Sequence, residues 1–316
     1  MASSITVYCF AYNAAVFLPK MLQSLADQTR LPDEVVLVDD GSDTDPSPVI
    51  APFRDRLKIR LIRHDRNRGM LHARQTAIDH ASSDFVTQLD ADDTLASNAL
   101  QDFTAALADT AADIAFCQLQ RSDEPPVPTG ALRTYKSNDL LRRVLTKETI
   151  GDATMPLAGG GKVIRTQIAR DVVESIRSDE HMNFGEDVLF LIGTYLRADS
   201  IVALPQAHYH YTQHDLSAMA QRLQQQKPSF LRSQKHFVDL MDRLTANLDK
   251  NSFDILPLLD DWIAQRLTSR MRLYFKPKKC FGPDFGECLA SLDPDMRPVF
   301  RKAASYARQR RRAQNA

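Results

Sequence analysis

A chain of 316 residues with 43% hydrophobic and 25% charged side chains has the makeup of a globular protein and the length to bury a large core. Its formal charge sums to zero, no nucleic-acid partner is expected because the basic tail has one aromatic, Tyr306, and no recognition fold before it, and no apolar run approaches the roughly 18 residues needed to cross a bilayer. The opening MASSITVYCFAYN has no charged leader followed by a long apolar stretch, so a cytoplasmic location is expected. Cys9, Cys117, Cys280 and Cys288 are scattered and lack His partners at finger spacing, and are expected to be idle thiols.

SITVYCFAYN reads as a strand, and AAVFLPKMLQSLADQ follows with apolar residues near helical spacing. DEVVLVDDGS is a second strand that breaks at Asp39, Asp40 and Gly41. LKIRLIRHD is a third, GMLHARQTAIDHAS a helix, and DFVTQLDADD a fourth strand ending in carboxylates. Strands alternating with helices predict a mainly parallel sheet, and acidic residues then collect at the carboxyl edge where such sheets bind ligands. RSDEPPVPTGALRTYK reads as a loop. GGGKVIRTQIARDVVE reads as a glycine turn, short strand and helix, NFGEDVLFLIGTYLRA as a helix, and SIVALPQAHYHYTQHDLSAM as a strand and loop. Beyond about residue 217 the pattern is helical and polar, which predicts an α/β domain over 1–217 and a helical C-terminal extension over 218–316. That extension ends in a cationic stretch carrying Arg301, Lys302, Arg308, Arg310, Arg311 and Arg312, suited either to solvent or to an anionic membrane surface.

Alternation along a strand puts Asp90 and Asp92 of LDADDT on one side, where two oxygen donors suit Mg2+ or Mn2+ completed by a diphosphate. The competing reading makes Asp92 or Asp93 the cap of a helix begun by TLASNALQDF. Asp39 and Asp40 either cap their turn or accept hydrogen bonds from a base or ribose. Arg74, one turn into its helix, is a surface residue, a diphosphate contact or the partner of an Asp. Glu186 and Asp187 sit among apolar residues of FGEDVLF, either as a general base in a semi-apolar cleft or as acids favoured by a helix N-terminus. His208 and His210 alternate on a strand, whereas His214 lies in the loop beyond, in reach of a phosphate or a cation. GGGK at Gly159 to Lys162 lacks the spacing of a phosphate-binding P-loop.

In order along the chain, ITVYCFAYN, VVLVDDGSDTD, NRG with a later AR, LDADD, GGGKVIR, FGEDVLF and HYHYTQHDLS resemble the family 2 glycosyltransferases, over roughly residues 4 to 218. The resemblance implies a GT-A fold, a Rossmann-like sheet flanked by helices, and inverting transfer from a nucleotide sugar, with a UDP-sugar the expected donor. It implies a donor site built from Phe10, Tyr12, Asn13, Asp39, Asp40, Asn67, Arg74, Asp90 and Ala91. Asp90 and Asp92 then carry the metal, Mn2+ or Mg2+, with His214 as a further candidate ligand. Asp187 takes the role of base, with Glu186 and Lys162 at the acceptor site. The acceptor class it implies is a glycan or a lipid-linked hydroxyl in cell-surface polysaccharide synthesis, with the enzyme cytoplasmic or peripheral on the membrane. The chain departs from the family pattern at Gly161, where a large aromatic is common, and at Thr212, where a basic residue is common.

Two other functions compete. LDADDT also matches the DxDxT of haloacid dehalogenase-like phosphatases, with Asp90 as nucleophile, although Leu191 stands where the later acid of that family would fall. A catalytically idle sugar-nucleotide-binding module is the other.

Overall fold

The computed structural model describes residues 3–121, 131–146, 159–182, 185–213, 227–246 and 255–263, with residues 297 and 301 standing alone. The sheet begins with β1 (Ile5–Ala11), β2 (Glu34–Asp39), β3 (Ile59–Arg63) and β4 (Phe85–Gln88), all parallel in the order β3-β2-β1-β4. β2 is buried at every position because helices cover both faces, and its side chains alternate between two cores, Val36 and Val38 on one side and Val35 and Leu37 on the other. The helix α1 (Leu18–Ala26) faces the second core with Leu18, Met21, Leu22, Leu25 and Ala26, at the spacing of a single helical stripe. α3 (Met70–His80) lies on the first core with Leu71, Ala73, Ala77 and Ile78, and it buries two large polar side chains, Arg74 and Gln75. The short α2 (Ser47–Ile50) precedes β3.

Beyond β4 the sheet is mixed. β8 (Lys162–Arg165) runs antiparallel to β4, with Thr87 opposite Val163, because it starts from the glycine turn that lies at the carboxyl end of β4. β6 (Ile114–Arg121) follows antiparallel to β8, and β9 (Ser200–Tyr211) is parallel to β6. The parallel expectation therefore holds for the first half of the sheet, and a strand fed from the carboxyl edge reverses direction in the second. β9 shifts register between its pairs with Phe116 and Gln118, around Pro205, which has no backbone N–H for a ladder. Before the shift it pairs with β7 (Arg133–Lys136), and after it with β5 (Thr94–Leu95).

Several sequence expectations change here. Thr94 and Leu95 form β5, so α4 (Ala99–Thr110) starts later with Asn98 at its N-cap, and neither Asp92 nor Asp93 caps it. RTYK, expected in a loop, is β7, since β9 offers it a free edge; residues 122–130 of that loop lie outside the described residues. β6 and α5 (Ser137–Thr146) had no reading at all, being short segments without turn punctuation at both ends.

Helices α6 (Thr166–Ser175), α7 (Glu186–Arg197) and α8 (Lys227–Thr245) match their expected places. The division after residue 217 and nearly all of the basic C-terminal stretch lie outside the described residues. Among the described residues no helix is long and apolar enough to cross a membrane. α8 packs on α6 and α7, and its Phe237, Leu240, Met241 and Leu244 join the same core as Tyr8, Val36 and Phe116. Ile255, Leu259 and Ile263 add to it from a further helical segment over 256–263. The extension is thus part of the core that supports α7. Leu240→Ala, which empties a fully buried position, should cost about 2–5 kcal/mol and lower the Tm of a single transition. A separate early transition, with the remainder of the melt unmoved, would mean that the extension folds alone.

Candidate active site

Parallel strands all end on the same side, so the chain leaves β1, β2 and β4 along one edge. Ala11 pairs with Asp39 and Tyr8 with Gln88, which lines up the turns that follow these strands. Asp40 organises the first part of this edge. Its carboxylate accepts from the Arg68 N–H and the Gly69 N–H, both at 2.9 Å, and meets His64 Nδ1 at 2.7 Å. His64 Nε2 lies 2.9 Å from the Thr76 hydroxyl, which ties the NRG turn to α3. Asp39 accepts from the Ser42 N–H at 3.1 Å and pairs with Arg63 at 3.0 Å. Gly41, at φ +75°, lets the two turns touch: a Cβ there would stand 2.6 Å from Arg66 Cα and 2.7 Å from the Asn67 nitrogen. Asn13, at φ +52°, binds the same loop through Ser42 Oγ at 2.8 Å and both ends of its amide to Asp43.

The second part of the edge follows β4. Gln88 Nε2 donates to Asp90 Oδ1 at 2.6 Å, and the Asp90 N–H donates to the Tyr209 hydroxyl at 3.2 Å. Tyr209 in turn donates to Asp93 Oδ2 at 2.6 Å, and Asp93 Oδ1 accepts from the Thr212 N–H at 2.7 Å. Asp93, buried, therefore holds the LDADD turn to β9. Gly159 and Gly160 close the arrangement from behind. A Cβ on Gly159 would stand 2.8 Å from Gln88 Cδ and 2.9 Å from its Nε2, and one on Gly160 would collide with the Tyr209 ring.

Arg74 occupies the centre with no exposed surface. Nη1 donates to the Tyr8 hydroxyl at 2.9 Å and to Gln88 Oε1 at 2.7 Å, and Nη2 lies 3.6 Å from Glu186 Oε1. Its guanidinium lies against Phe10 at 5.4 Å and Phe190 at 4.8 Å. Glu186 and Asp187 open α7, where the helix dipole favours acids; Asp187 accepts from the Val188 N–H at 2.8 Å. Lys162 is buried nearby, donates to the Gly160 carbonyl at 2.9 Å and feels the charge of Asp187.

The sequence profile of glycosyl transferase family 2 matches residues 6–173, more than half of the chain and all of this edge up to β8. The chain belongs to glycosyl transferase family 2. It is 25% identical to poly(ribitol-phosphate) beta-N-acetylglucosaminyltransferase TarS of Staphylococcus aureus (strain Mu50) over 203 residues, 63% of this chain and 34% of TarS. It thus spans about a third of that relative's length. It is 28% identical to the glycosyltransferase EpsJ of Bacillus subtilis (strain 168) over 244 residues, 72% of this chain and 68% of EpsJ. The crystal structure of TarS 1–349 in complex with UDP superposes with a TM-score of 0.63 at 20% identity, covering 96% of this chain and 87% of that one. The fold is GT-A, as the sequence motifs implied. The phosphatase alternative falls, because LDADD lies within the region that matches family 2 glycosyltransferases.

Within this family 2 chain, Asp90, Asp92, Glu186, Asp187, Arg74 and Lys162 form one charge cluster. Asp90 feels Asp92, Arg74 and Asp187, and Glu186 feels Asp187, Arg74 and Asp90. Phe10 packs on Arg74, Ala91 is buried in the turn, and Tyr12 stands half-exposed past the end of β1. Asp39 ends β2 and Asp40 follows it, across β1 from β4 and on the order of 10 Å from Asp90 at ordinary strand spacing, while Asn13 follows β1 and Asn67 follows β3. His214 lies outside the described residues. His208 is buried away from the cluster, 3.1 Å from Asp102 and against Phe103, while His210 is exposed. Among the described residues no group of three or more His, Cys, Asp or Glu is arranged to hold a metal, so any cation here draws the rest of its shell from elsewhere. Cys9 and Cys117 are free and buried, and burial pushes both thiols up, Cys117 to about 11, while Cys280 and Cys288 lie outside the described residues.

Sequence reasoning missed Gln88, Tyr209, Tyr8 and His64. A polar residue inside the apolar FVTQL run signals Gln88, since a buried amide needs partners. Tyr209 was overlooked between two more conspicuous histidines.

Burial holds three carboxyls of this edge high. Asp90 is raised by desolvation and by Asp92, while its bond from Gln88 opposes the shift. Asp93 is pushed to about 7 by burial. Glu186 rises from 4.5 to about 7, first by burial and then by Asp187, with Arg74 opposing. The folded protein therefore keeps a proton on Glu186 that the unfolded chain releases above about pH 4.5. That contribution to stability is complete below pH 4.5 and is lost as pH rises through about 7. Glu186→Gln should flatten part of the fall in Tm across this window, the remainder belonging to Asp90 and Asp93; an unchanged Tm-against-pH slope would remove Glu186 as a source.

Proposed function

We propose that this chain moves a sugar from a UDP-sugar to a hydroxyl of a glycan or lipid-linked acceptor, with inversion at the anomeric carbon, in cell-surface polysaccharide assembly. The observation that carries the proposal is the convergence of Asp92, Asp187 and the buried Arg74 guanidinium on Asp90 at the carboxyl edge of the sheet. The TarS structure with which this chain superposes holds UDP, and TarS is by name a beta-N-acetylglucosaminyltransferase, which supports a uridine nucleotide as donor.

The residues fit a divalent cation. Asp90 and Asp92 would supply hard oxygen donors, and Asp92 raises the cost of charging Asp90, a repulsion that Mn2+ or Mg2+ would relieve. Diphosphate oxygens and water complete such a shell without a third carboxylate. Once bound, the cation would stabilise the charge of the departing nucleoside diphosphate.

The chain's own groups perform the rest. Asp187 accepts the proton of the attacking hydroxyl while that oxygen bonds to the anomeric carbon, and the bond from that carbon to the diphosphate breaks as UDP leaves. Attack from the face opposite the leaving group inverts the centre. Lys162 and Glu186 flank the base and line the acceptor side. Phe10, Tyr12, Asn13, Asp39, Asp40, Asn67 and Ala91 supply the donor side of the edge. Arg74, enclosed on all sides, serves by orienting its neighbours. Peripheral attachment to anionic lipid through the basic stretch from Arg301 to Arg312 belongs to the proposal and rests on the sequence alone.

Asp187→Asn should cut turnover by about 10²–10⁴-fold while UDP-sugar binding stays within twofold of the parent, as loss of a general base requires. Loss of donor affinity with turnover retained would reassign Asp187. A thermal-shift screen of nucleotide sugars should show the largest rise in Tm for a UDP-sugar with Mn2+, and Asp92→Asn or chelation should abolish the manganese-dependent part. Binding without any turnover or donor hydrolysis would instead support the idle sugar-nucleotide module.

A further inference from the structure

We infer that Gln88 is a positioning residue, one that carries the orientation of buried Arg74 to the Asp90 carboxylate and so sets the affinity of the metal and donor site. This inference rests on the reading of Asp90 and Asp92 as that site, and it names a residue which the motif itself does not contain. Gln88 is the buried last residue of β4, and its amide has Arg74 on one side and Asp90 on the other, at 2.7 Å and 2.6 Å. A guanidinium has only donors, so the atom facing Arg74 must be the amide oxygen. The amide nitrogen then has to face Asp90, and the side chain is left with a single orientation.

Arg74 cannot turn away to release it. Its other contacts come from two elements: Tyr8 and Phe10 on β1, and Glu186 and Phe190 on α7. Gly159 seals the amide from behind, at a position where any side chain would strike Gln88. The line Glu186–Arg74–Gln88–Asp90 therefore joins the helix that bears the candidate base to the first carboxylate of LDADD. One oxygen of Asp90 is held by Gln88, which leaves the other oriented by that bond. A ligand carboxylate held in this way by a neighbour typically loses about 10–100-fold in metal affinity when the neighbour is removed.

The test compares the full chain with Gln88→Met, which keeps the side chain's length and removes both hydrogen bonds, and with Gly159→Ala, which leaves Gln88 in place but presses on its amide. Mn2+ binding is read by electron paramagnetic resonance with and without UDP, alongside KM and kcat for the UDP-sugar identified in the thermal-shift screen. Both variants should weaken Mn2+ binding about 10–100-fold and raise KM far more than they lower kcat, because Asp187 is untouched. Adding Gly159→Ala to Gln88→Ala should have no further effect, since the shortened side chain leaves room for the new methyl. A role in packing alone would lower Tm in both variants and leave Mn2+ affinity and KM at parent values, and that result overturns the inference while the assignment of Asp90 and Asp92 stands. Should Gln88→Met fail to fold, Gly159→Ala and its cycle with Gln88→Ala decide. Failure of the parent protein to bind Mn2+ or UDP would overturn the proposed function, and this inference with it.

Discussion

Everything at the carboxyl edge depends on the burial of one positive charge. A guanidinium withdrawn from water is costly unless charges and dipoles are arranged around it, and removing one member of such a set is more damaging than its net contribution suggests. Arg74 is compensated by the Glu186 carboxyl, the Tyr8 hydroxyl, the Gln88 amide oxygen and the faces of Phe10 and Phe190. Those partners come from β1, β4 and α7, so the cost of burying the charge fixes how these three elements sit relative to α3. Burial alone would depress the Arg74 pKa, yet the balance of its neighbours, Tyr8 and Glu186 foremost, raises it. It is therefore a permanent charge beneath the carboxylates and does not switch.

The acidic residues of the edge divide by how their oxygens are occupied. Asp40 and Asp93 direct both oxygens at internal donors, the one to the NRG turn and His64, the other to Tyr209 and the Thr212 N–H. They hold loops to the sheet. Among the described residues Asp90 gives one oxygen to Gln88 and Asp187 one to its own helix terminus, which leaves the other oxygen of each for chemistry. Neighbouring aspartates in VDDGS and LDADD thus do different work, and the division follows from which backbone N–H groups need an acceptor.

Support reaches the site from the far side of the molecule as well. α7 carries Glu186 and Asp187 at its start and packs its flank on α6 and α8, so the C-terminal extension bears on the position of the candidate base through a continuous apolar core. The contact between His236 Nδ1 and the Glu180 carboxylate, at 3.2 Å, adds a link just ahead of α7. This arrangement accounts for a chain in which the family match ends at residue 173 while the core runs on through residue 263.

Local pattern was enough to reveal the alternation of strands and helices, the carboxyl-edge cluster of acids and the order of family motifs, because each is a property of neighbouring residues. Short β-branched runs placed β1, β2 and β4, and helical spacing placed α1, α3, α6 and α7. Pairing direction, by contrast, depends on where the chain re-enters the sheet, so the antiparallel β8 and the strands β5 and β7 emerged only in three dimensions. The same holds for the site. Asp90, Asp92 and Asp187 announce themselves as acids at strand and helix ends, but Gln88 and Tyr209 matter only because folding brings Arg74, 14 positions along the chain, against the one and Asp93, 116 positions away, against the other. Sequence determined which residues carry charge and which elements they end; tertiary structure alone decided which of those charges are satisfied inside, since hydrogen bonds between distant segments leave no periodic trace in the chain.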